Sequence, residues 1–111
     1  MDIHEERKGA VMVLRPLGPL TLEDADQFKS RFLQVRADRL GRLVVDASAI
    51  PYVDSRGLEV LVEANEQMNE SGQSLKLCGL EETLREVLDV TELSSLFEQY
   101  EDVASAVRSF L

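Results

Sequence analysis

The chain has 111 residues, 44% of them hydrophobic: enough for one domain (1–111) with a buried core, and short for two. A formal net charge of −9 argues against nucleic acid as a partner, because phosphates would be repelled, and suits a basic protein partner or simple solubility. Cys78 is the lone cysteine, the acidic start lacks a signal-peptide pattern, and no apolar run nears the ~20 residues of a bilayer span, so a cytoplasmic protein without membrane insertion is expected.

In chain order, Ile3–Arg7 reads as an edge strand, Lys8-Gly9 as its turn, and Ala10–Arg15 as a second strand, the two forming a hairpin. Gly18-Pro19-Leu20 breaks the pattern. Thr21-Leu22-Glu23-Asp24 has the form of a capping box, with Asp where Glu or Gln is usual. Ala25, Phe28, Phe32 and Val35 follow at helical spacing, and that helix ends near Asp38, before Gly41. Arg42–Ala47 is a buried strand, carrying the β-branched pair Val44-Val45. A second helix is expected over Arg56–Asn69, apolar around its first half and wetter at Glu66–Glu70, with Gly72 as a left-handed stop. Ser74–Cys78 reads as a strand and Glu81–Asp89 as a shorter helix with Leu84, Val87 and Leu88 inward. Within Leu93–Tyr100, Leu96–Tyr100 reads as a short last strand, and Asp102 caps a final helix bearing Val103, Val107 and Phe110. Strands alternating with helices after Gly18 imply parallel pairing through crossovers, so the class is α/β with a mixed sheet and about four helices.

The candidate functional stretch is Asp46 to Leu58. A buried strand ends at Asp46, Pro51 stops any ladder, and Asp54-Ser55-Arg56-Gly57-Leu58 opens a helix. Asp54 and Ser55 are residue types that accept hydrogen bonds from orphan N–H groups at a helix start. Gly57 permits a close approach by another backbone or by a partner. The hydroxyl of Ser55 is thus set at the positive end of a helix dipole.

This segment resembles the phosphorylation site of STAS-domain anti-anti-sigma factors, also called anti-sigma factor antagonists. Their pattern is a buried strand ending in Asp, a loop, then Asp-Ser-(Ser/Thr)-Gly-Leu opening a helix. The resemblance covers essentially the whole chain and implies the STAS fold. It also implies a switch protein rather than a catalyst. Such a protein binds an anti-sigma factor that is itself a serine kinase, is released when that kinase phosphorylates the serine, and is restored by a phosphatase. The matching serine is Ser55. The contact surface carried over comprises Thr21, Leu22 and Asp24, the loop Asp54, Ser55, Arg56 and Gly57, and the early second helix from Leu58. Two positions depart from the pattern. Thr21 stands within Gly18-Pro19-Leu20-Thr21, where family members commonly have Gly-Glu-Leu-Asp, and Arg56 replaces Ser or Thr after the modified serine.

Each of these residues has a plainer role beside the functional one. Ser55 and Asp54 serve equally as helix caps, and Asp46 as a tie for the Ser48–Pro51 loop. Cys78 fits a small buried hydrophobe, and His4 has no second ligand type nearby, so neither a metal nor a cofactor is expected. No Walker loop, Gly-x-Gly-x-x-Gly or Gly-x-Ser-x-Gly motif is present, which argues against an enzyme. A second reading is a STAS subunit or scaffold, of a lipid-transport ABC system or a signalling assembly, that binds constitutively and uses Ser55 only as a cap.

Overall fold

Alternating side chains at the start of the chain build the expected hairpin. In the computed structural model, which describes all 111 residues, β1 (Asp2–Lys8) and β2 (Val11–Leu17) pair antiparallel from Asp2 opposite Leu17 to Lys8 opposite Val11. The second strand runs further than expected, through Pro16. That proline lies beyond the last β2–β3 partners, Leu14 and Val45, where no second ladder needs its missing N–H.

Helices and parallel strands then alternate: α1 (Leu22–Asp38), β3 (Leu43–Asp46), α2 (Ser55–Asn69), β4 (Lys76–Cys78), α3 (Glu82–Val90), β5 (Glu98–Tyr100) and α4 (Val103–Arg108). One 3₁₀ turn, Ser94–Leu96, occupies residues not read as helical from the sequence. The five strands lie in the order β1-β2-β3-β4-β5, parallel after the hairpin. This is the α/β architecture with a mixed sheet and four helices.

One face of the sheet carries the main core. Leu14, Leu43, Val45 and Leu77 meet Phe28 and Phe32 of α1, Val60, Leu61 and Ala64 of α2, and Leu84 and Leu88 of α3. The two phenylalanine rings tilt against each other with centroids 6.2 Å apart. On the other face Val11, Val44 and Cys78 pack on Ala106 of α4, rimmed by Tyr100, Val103, Val107 and Phe110. The tail of α2 is wetter, as expected, around one buried methionine. Glu66, Asn69 and Glu70 are exposed, but Met68 and Asn65 are buried. Asn65 is satisfied there because its Oδ1 accepts the Leu75 amide at 2.8 Å, fixing the entry to β4. Gly72 has φ +77° just past that helix, the left-handed stop that its position suggested.

Candidate functional site

The parallel sheet brings the starts of α1 and α2 to the same end of the molecule, and a set of backbone bonds joins them. Ahead of α1, Gly18 N donates to Ala49 O at 3.1 Å and Leu20 N to Tyr52 O at 3.2 Å. In return, Asp54 N donates to Leu20 O at 3.2 Å, so Leu20 and Val53 form an isolated parallel bridge. Ile50, fully buried, pins the loop between β3 and α2 from beneath. Asp46 holds the start of that loop, its Oδ1 accepting the Ser48 amide at 3.0 Å.

Asp54 completes the junction. It is the N-cap of α2, with Oδ1 accepting Gly57 N at 2.8 Å, while Oδ2 accepts Leu22 N at 3.0 Å. One carboxylate therefore satisfies orphan amides of two helices. The capping box expected at Thr21 does not form. Thr21 is extended but its side chain makes no cap bond; the Asp24 amide bonds the Thr21 carbonyl, and Asp54 serves this helix start at the Leu22 amide. Leu22 sits there with φ +48° and 69% of its surface exposed.

Gly57 is buried, and the backbone that approaches it is the chain's own. A Cβ at this position would overlap the Leu20 carbonyl oxygen and press on Val53. Its place among the expected contact residues is thus beneath the surface, holding the two loops together.

Ser55 is the first residue of α2 and is exposed. Because Asp54 supplies the cap, the hydroxyl is not used to close the helix. It stands over a shallow groove of about 410 Å³ shared with Leu58, Glu59, Val62, Glu63, Glu66 and Leu93. Leu58 is half-buried and packs against the main core. A second groove, about 660 Å³, is lined by Thr21, Leu22, Glu23, Asp24, Asp26 and Arg56. Tyr52, 53% exposed, lies three residues before the serine.

Arg56 separates the two grooves. Its guanidinium donates to Asp26 Oδ1 from Nε at 3.0 Å and from Nη2 at 2.5 Å, and from Nη1 to Glu59 Oε1 at 3.0 Å and Glu63 Oε1 at 3.2 Å. The Asp26 bonds first, and Glu59 next, raise its pKa above the ordinary guanidinium value. Lys29 Nζ joins the same set through Glu63 at 3.1 Å. Asp26, Glu59 and Glu63 were not singled out from the sequence. The i+3 and i+7 spacing from Arg56 to the two glutamates could have flagged them, whereas Asp26 is thirty positions away on another helix.

The sheet order and the serine-bearing helix start define a STAS domain. The model of the STAS domain family matches residues 3–106, and the chain belongs to that family. Solved structures agree at the level of the fold. An anti-sigma factor antagonist from Mycobacterium paratuberculosis superposes with a TM-score of 0.83 at 22% identity, over 97% of this chain and 92% of that one. An anti-sigma-factor antagonist (STAS) domain protein from Planctomyces limnophilus gives 0.82 at 22% identity, over 98% and 97%. The phosphorylated form of SpoIIAA, a Bacillus cell fate determinant, gives 0.72 at 14% identity, over 99% and 100%. No helix of the chain is long and apolar enough to cross a membrane.

Proposed function

We propose that this protein is an anti-sigma factor antagonist whose binding is switched by phosphorylation of Ser55. One observation carries the reading: the Ser55 hydroxyl is exposed at the first turn of α2, and Asp54 makes the cap in its place. The partner is an anti-sigma factor that is also a serine kinase. It docks across the two grooves, on Thr21, Leu22 and Asp24 of one segment and on Asp54, Ser55, Arg56 and Leu58 of the other. The kinase passes the terminal phosphoryl group of a nucleoside triphosphate to Ser55 Oγ. The new P–O bond replaces the one to the departing diphosphate, and the hydroxyl proton leaves to a base. A phosphatase later returns the group to water.

The helix start tolerates the added charge, so the fold persists. The docked partner does not tolerate it, because a bulky group with about −1.5 to −2 charges enters the interface. A loss of ~3 kcal/mol weakens affinity more than a hundredfold. The phosphorylated structure of SpoIIAA supports the reading by showing that this fold accommodates a phosphorylated form. The test pairs co-purification of the partner with phosphopeptide mass spectrometry. Ser55→Ala should bind the partner persistently in the presence of nucleoside triphosphate, while the parent is released as phosphate appears on Ser55. A parent that stays bound, with Ser55 unmodified under every growth condition, overturns the switch in favour of a constitutive scaffold.

A further inference from the structure

This inference rests on the proposed modification of Ser55 and concerns the residue that follows it. Arg56 is matched against three carboxylates, with Asp26 on α1 taking two of its N–H groups and Glu59 and Glu63 on α2 sharing another. Glu59 stands three residues after Arg56 and four after Ser55, so it shares a row of the helix with each. A phosphate on Ser55 would therefore come down beside the carboxylate that Arg56 already holds. No cation lines the groove at Ser55, which holds Glu59, Glu63 and Glu66; Arg56 reaches that row through Glu59, and Lys29 is paired with Glu63. A phosphate offers more charge and a better bidentate match to a guanidinium than carboxylates that each give one oxygen.

We propose that phosphorylation of Ser55 draws Arg56 off Asp26 and Glu59 and onto the phosphate. The exchange leaves the Asp26 and Glu59 carboxylates on the surface without their cation. It also breaks one of the ion pairs that tie α1 to α2, leaving Lys29–Glu63 in place. One modified hydroxyl thus turns both grooves more acidic, including the Thr21–Asp26 groove on the far side of Arg56.

The test installs phosphoserine at position 55 during translation, which separates the exchange from whether any kinase acts on Ser55. Phosphorus NMR then follows the second ionisation of the phosphate, ordinarily near about pH 6. Asp26, Asp54, Glu59, Glu63 and Glu66 face the region and are common to all samples except where replaced. Arg56→Gln should raise that pKa by about half a pH unit relative to the phosphorylated parent. Arg56→Lys should recover part of the difference, and Asp26→Asn, which frees Arg56, should lower it below the parent. Nitrogen-edited spectra should show the Arg56 Nε–H resonance moving between the unmodified and phosphorylated parent. The same phosphate titration in parent, Arg56→Gln and Asp26→Asn overturns the exchange, as does an Arg56 resonance that does not move.

Discussion

Asp54 holds Leu22 across 32 positions of sequence, its Oδ2 accepting the Leu22 amide while its Oδ1 caps α2 through Gly57. The two segments proposed to meet a partner are thereby one surface. Replacing Asp54 by Ala removes acceptors from both helix starts and should cost about 2 kcal/mol, at the upper end for an N-cap. Asp54→Asn keeps one acceptor and should cost less. Ser55→Ala should fall within about 0.5 kcal/mol of the parent, as expected for an exposed side chain outside the cap. Denaturant midpoints of the three variants check the order.

Gly57→Ala places a methyl group against the Leu20 carbonyl. Either α2 moves outward or the Leu20–Val53 bridge opens, and overpacking of this kind should cost about 1–3 kcal/mol. Hydrogen exchange at the Asp54 amide, which donates to Leu20, should speed up in the variant more than exchange at Val60 in the middle of α2.

Acid should act through Glu98. Lys76 Nζ donates to Glu98 Oε1 at 2.9 Å, and that bond, assisted by Tyr100, holds the carboxyl below the usual range. A carboxylate with a lowered folded-state pKa contributes stability above its unfolded value and loses it as pH falls through the folded value. The stability gap between parent and Glu98→Gln should therefore be full near neutrality and close as pH falls below the ordinary carboxylate range and through the lowered folded-state pKa. Lys76 is buried, and its Nζ also lies 4.6 Å from the Phe110 ring centroid, so Phe110→Ala should expose it and weaken the carboxyl-terminal packing.

Cys78 should be chemically silent. Burial, with Asp46 and Asp102 adding to it, pushes its thiol up to about 12, and its side chain is fully covered. A disulfide reagent at about pH 8 should label it only through opening of the protein, so labelling should track the open population across a denaturant series, and the unfolding rate once excess reagent outpaces reclosing.

Local pattern made much of the fold legible. Phe28, Phe32 and Val35 recur at helical spacing and are buried, and the Leu43–Val45 run is a central strand. The hairpin followed from the Lys8-Gly9 turn between two strand-like runs, the second strongly apolar. Features set by distant contacts were not legible. Thr21 has the chemistry of a cap, yet a carboxylate from another loop wins its helix. Nothing near Asn65 in sequence announces the Leu75 amide that justifies its burial. At the candidate site, the motif located Ser55, but its freedom from capping depends on Asp54 geometry. Arg56 read as a neighbour of the serine, and only the packing of α1 against α2 supplies Asp26 as its main counterion.

The bridge between Leu20 and Val53 has a further consequence for any enzyme that modifies this protein. Serines in mobile tails are handed to kinases as extended peptides that thread a cleft. Here the Ser55 hydroxyl, the proposed acceptor, is built into a folded corner, stitched to a second loop on one side and to a helix on the other. A catalyst that modified it would have to receive a preformed shape, so recognition would read the three-dimensional outline of the corner more than the string of residues around Ser55.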